Sequence, residues 1–388
     1  MTQLSRLASL GIAKETVVNT WLTPTMSIPF TKADFEDVNA SIKDESVRAD
    51  DTVLHGVYQG PTYATWSIEC MTYPDLLGHY LRGCIGPDTV TAGIATTLSS
   101  SSSAGATSLS TAASIAANSI IRIDIGAGLQ EYAKVTAVSG AGPYTLTVTT
   151  SATGSVGLAY AHTSGVAVVA QSTHAFAQSA NPATKATYSL TVYDTTQPLS
   201  YSGGVLGDLQ IKVDPKGAVT ASVKYTTMPF VVQGAPVTPS YNQLQPLLGW
   251  QWTMTSGGLT STRGLSYDLT IKRAVDPINS SDGTQAPREI FQGALEVDAS
   301  YKAIFENQLD LGLYLNNTQM PAVATLTQPI AVGGHTLTLT MSQSAWTKGK
   351  REFGSSYVES AYSISGVYNA TDGGAVAATL KNFQSTAY

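Results

Sequence analysis

Alternation of apolar and polar residues with a period of two runs through most of this chain. In Thr62–Thr72, Ala64, Trp66, Ile68 and Cys70 alternate with Tyr63, Thr65, Ser67 and Glu69, which sends one row to a core and the other to solvent or a neighbour. A preceding run, Thr52–Gln59, is joined to it through Gly60-Pro61, a turn signal that predicts a strand pair. Tyr73-Pro74-Asp75 then ends the strand and opens a helix carried by Leu76, Leu77, Tyr80 and Leu81, with Gly83 or Gly86 to cap it. The alternation returns at Ala186–Asp194, Leu209–Val213, Val219–Tyr225, Gly249–Thr255, Leu265–Lys272, Phe291–Tyr301, Thr336–Met341 and Tyr362–Val367. Asp214 to Gly217 is the turn between the second and third of these. In Phe291–Tyr301, Leu295, Val297 and Ala299 alternate with Glu296, Asp298 and Ser300, so one face reads as acidic and the other as apolar. Tyr301–Leu311 predicts a second short helix. Many strands against one or two short helices predict an all-β fold, a sandwich or a partly closed barrel. A β-helix would require a short repeat, and none is visible.

Two segments depart from this pattern. Residues 1–51 read as an arm followed by a charged loop. Trp21-Leu22-Thr23-Pro24 and Ile28-Pro29-Phe30 favour extended backbone, and Asp34, Glu36, Asp37, Asp44, Glu45, Asp50 and Asp51 stand against Lys43 and Arg48. Such a loop either reaches a partner, lines a channel or is simply solvated. Residues 89–172 carry few charges, and Ser99 to Ser103 reads as a flexible linker. Short alternating runs follow, with a hairpin turn at Gly140 to Pro143, which predicts a small inserted β module. The chain thus divides into 1–88, the inserted 89–172, and 173–388.

Composition narrows the function classes. Of 388 residues 43% are apolar but only 12% are charged, about half the usual share. Interface cores are depleted of charge, so this balance suits surfaces that meet copies of themselves. A net charge of −6 opposes binding that depends on neutralising phosphates. Cys70 and Cys84 are too few for a disulfide framework and predict reduced, buried thiols. Neither a signal-peptide run nor a membrane-spanning apolar window is present, which predicts no membrane insertion. The histidines are His55, His79, His162, His174 and His335, and no two stand at metal-ligand spacing. Hydrolase, nucleotide and dinucleotide signatures are missing, so no catalytic residue, cofactor or metal is expected. The carboxylate pairs Asp44/Glu45 and Glu296/Asp298 leave a glycosidase as a distant reading. Trp250 and Trp252, two apart on an expected strand, would share a face, either as a sugar platform or as core or subunit contacts.

Several segments together resemble the tail tube proteins (major tail proteins) of long-tailed bacteriophages, especially those of actinobacterial phages. They are Gly11–Phe30 with Glu15 and Pro24, the acidic loop ending in Lys43–Arg48, two strands and the helix Pro74–Arg82, Asp208–Lys224, and the pair Phe291–Leu311. Residues 108–163, including Glu131 and the Ala159–His162 end, resemble a β module that recurs in phage structural proteins. The length and the stretch Val237–Gln245 depart from the family pattern. The resemblance implies a virion structural protein, made in the bacterial host cytoplasm, that self-assembles into stacked hexameric rings forming a DNA conduit. It implies partners in further copies, a tape measure protein, a tail terminator and distal tail or tail-tip proteins, with double-stranded DNA passing unbound. It makes Glu296 and Asp298 candidates for an acidic lumen. Asp34, Glu36, Asp37, Asp44, Glu45 and Arg48 become candidates for ring-to-ring contacts, and the module an outer decoration. The reading from another class is a β-sandwich adhesin or carbohydrate-binding structural protein.

Overall fold

Alternating runs become strands that are longer than the sequence pattern alone suggests. The computed structural model describes residues 4–388 except 127, 180, 182–184, 194–196, 233–237, 242–243, 258, 307 and 355. Residues 237, 242 and 243 of the stretch 237–245, and Asp194 at the end of one expected strand, therefore lie outside the described residues.

In chain order come β1 (Ser9–Lys14), β2 (Met26–Ile28), β3 (Phe30–Asn39), β4 (Ile42–Asp44), β5 (Gly56–Tyr58), β6 (Thr62–Met71), helix α1 (Leu76–Cys84) and β7 (Asp88–Thr91). Six short strands follow: β8 (Ala95–Thr97), β9 (Ser108–Thr111), β10 (Ile120–Ile123), β11 (Glu131–Ser139), β12 (Tyr144–Thr149) and β13 (Ala167–Ala170). Then come β14 (Ser172–Phe176), β15 (Tyr188–Tyr193), β16 (Pro198–Val213), β17 (Thr220–Thr227) and β18 (Val231–Val232). They are followed by β19 (Trp252–Ser256), β20 (Leu259–Ser261), β21 (Gly264–Ile278), β22 (Glu289–Ile304), helix α2 (Leu309–Leu315), β23 (Met320–Thr327), β24 (Thr336–Glu352), β25 (Glu359–Gly366) and β26 (Ala377–Asn382).

The order β3-β6-β17-β16-β21-β22-β25-β24 forms one antiparallel wall. Two long strands change partners along their length. The first half of β24 pairs with β23 and β26, which continue to β19 and to β14 and β7. The first half of β16 pairs with β15, which pairs with β1, and the switch falls at a bulge between Leu206 and Asp208. Bulges add twist and bend strands. Strands that change partners in this way curl the sheet into a half-barrel around its core.

Helix α1 fills the curl. Leu76, Leu77, Tyr80 and Leu81 are buried against β16, β14 and β21. Gly78 admits Tyr388, whose ring would stand 2.1 Å from a Cβ added there. Gly83 lies inside the helix against Tyr188 and Leu206, so the closing glycine is Gly86, in a positive-φ conformation just after Ile85. The last carbonyls of a helix lack partners within it. Here Arg273 Nε donates to Cys84 O (2.6 Å) and Nη2 to Ile85 O (3.1 Å), while Nη1 reaches Gly293 O (2.9 Å). Gln292 Nε2 donates to Gly83 O and Leu206 O.

Four expectations are corrected. Thr52–Gln59 does not pair with β6: only Gly56–Tyr58 is strand, and it pairs with β4 to make a separate ribbon. Residues 1–51 are not arm and loop. Leu10, Ile12, Ala13 and Ile28 are core residues, and Asp34, Glu36 and Asp37 sit on strand β3. The second helix starts only at Leu309, because Tyr301 to Ile304 complete β22. The serine run is no linker: Ser99 N donates to Ser110 O and Ser102 N to His162 O. The Ser99–Ser110 bond and Ala112 N to Thr97 O join the β8 end to β9 and close the sheet β8-β13-β10-β11-β12-β9 into a small barrel. That barrel has its own core around Ile121, Val135, Leu146 and Val168.

Arg273→Ala should cost about 3 kcal/mol of stability, because it strands buried carbonyls at the end of α1. The shift of the urea midpoint measures this, and an unchanged midpoint would mean that water replaces the guanidinium.

Candidate assembly surfaces

The outward face of the wall is built from the polar partners of buried residues on each strand. On β22, Val297, Ala299 and Tyr301 are buried, so Glu296, Asp298 and Ser300 point outward. Their cross-strand neighbours make continuous rows. Lys224 faces Asp208, which faces Lys272, which faces Glu296. Lys224 Nζ lies 3.2 Å from Asp208 Oδ2. In the next row Ser222, Gln210, Thr270, Asp298 and Ser365 follow one another, and Ser365 Oγ donates to Asp298 at 2.8 Å. A third row runs Thr220, Lys212, Asp268, Ser300, Ser363 and Lys348. Glu296 and Asp298 are both exposed, but the face is not uniformly acidic: Lys272 stands across from Glu296, and Asp298 lies between Thr270 and Ser365. Opposite charges across a strand pair stabilise it, and that rule selects the alternation.

The two ends of the wall differ. At one end, the β4–β5 ribbon projects beyond the sheet and exposes Ile42, Val57 and Tyr58, with Val47 at 97% exposure. On the ribbon Arg48 pairs with Asp44, whose carboxyl is held low by hydrogen bonds from Ser46. Glu45 is exposed. The β21–β22 connection lies at the same end, where Thr62 N donates to Gln285 O. At the other end are the β16–β17 turn at Asp214–Gly217, α2, Phe353 and Trp250. Phe353, Leu315 and Trp250 are all well exposed.

The expected contact residues on β3 are split by its pleat. Asp34 and Glu36 lie opposite Ser67 and Thr65 on the outward face, and Asp34 pairs with Lys32 at 2.7 Å. Asp37 lies opposite Ala64 on the inner side, where Tyr201 OH approaches it at 3.4 Å and burial pushes its carboxyl up. The two tryptophans, expected to share a face, do not. Residues 249–251 make a 3-10 turn, which breaks the period of two, so Trp250 is exposed while Trp252 is buried and stacked on Tyr267.

Candidate chemistry remains scattered. His79 sits in α1, His162 in the module, His174 on β14 and His335 before β24. Among the described residues no three His, Cys, Asp or Glu side chains group as metal ligands, and no helix is long and apolar enough to cross a membrane. The largest clefts are open grooves. One of about 560 Å³, between the module and the segments that precede β24 and follow β26, is lined by Arg122, Tyr132, His335 and Phe383.

A half-barrel with a polar outer wall, an interior helix and an inserted β module was compared with known families. A family described as phage tail tube protein matches residues 5–380. The chain belongs to that family. It is accordingly a phage tail structural protein and a component of the virion. No curated protein matches it.

Family membership gives the resembling residues structural meaning. Glu15 is a buried carboxylate that accepts from Asn19 N, Thr187 Oγ1, Ser189 Oγ and Gly203 N, tying the N-terminal segment to β15 and β16. Pro24 stands against Gly11, where an added Cβ would come within 2.5 Å. In the module Glu131 accepts from Ala159 N and Tyr160 N and meets His162 Nε2 at 2.6 Å, so the two quoted pieces of that pattern hold each other.

Burial lowers the pKa values of His79 and His335 from 6.5 to about 4. Unfolded chains take up these protons first as pH falls, so stability should be flat above about pH 6.5 and drop between 6.5 and about 4. The limit is about 1.4 kcal/mol per pH unit for each histidine. Thermal midpoints across that range test this, and His335→Gln should flatten part of the slope.

Proposed function

We propose that copies of this chain form hexameric rings that stack head to tail into the tail tube, with the polar wall lining the conduit through which DNA is delivered. The observation that carries this reading is a wall polar on one face, apolar on the other, and not closed within one chain. A half-barrel with free edges completes itself by meeting further copies. Stacking joins unlike ends, a heterologous contact that continues indefinitely. The apolar ribbon at one end and the exposed Trp250, Leu315 and Phe353 at the other are suited to that contact. The ribbon residues Asp44, Glu45 and Arg48 then act between rings, whereas Asp34 and Glu36 lie on the wall edge. A tape measure protein would occupy the lumen during assembly, with terminator and tip proteins at the ends. The module, entered and left between paired strands β7 and β14, is an outer decoration.

Charge balance defines how such a wall treats DNA. Alternating Lys224, Asp208, Lys272 and Glu296 present little net charge beyond their own spacing, Lys212 and Asp268 repeat the pairing in another row, and Asp298 lies among Thr270, Gln210 and Ser365. DNA binding that releases counterions needs a net basic surface. Low adhesion then comes from compensation rather than from acidic repulsion.

Negative-stain microscopy of the concentrated chain should show hollow tubes of uniform width. Replacing residues 45–55 by a short turn should leave a folded chain whose rings do not stack, and unchanged tubes would remove the ribbon from the contact. Tubes carrying Glu296→Gln and Asp298→Asn should retain double-stranded DNA in a salt-dependent manner where wild-type tubes do not. Equal retention would place these residues away from the lumen.

A further inference from the structure

The wall has two open edges. β3 pairs with β6 on one side and, among the described residues, with no strand on the other. At the far end β24 pairs with β25 over Ser344–Glu352, while its other flank meets β23 only as far as Ser344. Ala345–Glu352 and β3 thus each present unpaired backbone N–H and C=O groups, which template pairing with another chain.

Direction and charge select how these edges meet. β3 runs toward the ribbon end, because Asn39 lies opposite Thr62. The free part of β24 runs the other way, because Glu352 lies opposite Glu359, which lies opposite Ile304 at the α2 end. Copies related by rotation about the tube axis therefore bring the two edges together antiparallel, as every other pairing in the wall is. On the outward face β3 carries Lys32, Asp34 and Glu36, opposite Glu69, Ser67 and Thr65. On the same face β24 carries Lys348, Lys350 and Glu352, opposite Ser363, Ala361 and Glu359. If Lys32 stands across from Glu352, antiparallel counting puts Asp34 across from Lys350 and Glu36 across from Lys348. All three pairs are then of opposite sign. A slip of two residues in one direction sets Lys32 against Lys350, and in the other sets Asp34 against Glu352. Like charges directly opposite are destabilising.

Resting on the tube reading above, we propose that β3 of one copy pairs with the free part of β24 of the next in this register, and that this joint closes the ring. In the separate chain the same side chains pair along their own strands: Lys32 with Asp34 at 2.7 Å, and Lys350 with Glu352 at 2.5 Å. These are exposed contacts of small worth, which leaves the groups free to exchange partners on assembly. Since the two edges differ, the contact is heterologous, and rotation closes it into a ring.

The test uses paired cysteines in the full chain. Burial pushes the native thiols of Cys70 and Cys84 up to about 11 and about 12, so neither competes for reagent. Tubes of the Asp34→Cys, Lys350→Cys chain treated with a short thiol crosslinker should yield a ladder of covalent oligomers up to a closed ring. The Glu36→Cys, Glu352→Cys chain, four residues out of register, should stay uncoupled. Reversing Lys348→Glu and Lys350→Glu should abolish tubes while the thermal midpoint stays near wild type. Adding Asp34→Lys and Glu36→Lys should restore them. Tubes of the Asp34→Cys, Lys350→Cys chain that do not crosslink, or reversal without loss of tubes, overturn the joint and leave the tube standing. A wild-type chain that stays monomeric at every concentration removes the tube reading and the joint with it.

Discussion

A single buried cation organises the middle of this molecule. Helix α1 ends inside the protein, where its last carbonyl groups have no water to bond. Arg273 reaches them from β21, and Gln292 does so from β22. No carboxylate pairs with the guanidinium among its described hydrogen bonds, so its charge is met by carbonyl dipoles at the helix terminus, which favours a cation there. The two strands that cap the helix are also the centre of the wall. Because side chains alternate, turning Arg273 inward obliges its neighbour Lys272 to face out, directly across from Glu296. Helix capping and wall charge are thus consequences of one register.

Much of the strand pattern was legible because burial on one face leaves a period of two in the sequence. The Asp214–Gly217 turn was equally legible: Asp214 Oδ1 accepts from Lys216 N, a local bond that needs nothing from the rest of the chain. What could not be read depended on distant partners. β1 is core only because β15, about 180 residues later, lies beside it. β3, at an edge, carries polar groups on both faces and so looked like a loop. The serine run has no side chains that signal a strand, and its order comes from backbone bonds to segments further along the chain. Trp250 and Trp252 do not share a face because the 3-10 turn at 249–251 defeats alternation.

The candidate site was partly legible for the same reason. Exposure of Glu296 and Asp298 follows from their own strand. Their electrostatic setting does not, since Lys224, Asp208 and Lys272 arrive from three other strands. A single strand reports its own polarity, and only the sheet reports the sum. Asp34 and Glu36 show the converse: their acidity was plain, but its counterpart on β24 became apparent only once both were known to be edges of one wall.

The inserted module enters after β7 and leaves before β14, and those two strands are hydrogen-bonded neighbours, Thr91 opposite Thr173. The main sheet therefore contains a hairpin whose loop happens to be a folded barrel with its own core. Whatever replaces that loop need only begin and end one ladder step apart. Such a junction works as a socket: a change of what is plugged in there leaves the register of the wall, and every charge row on it, as it was.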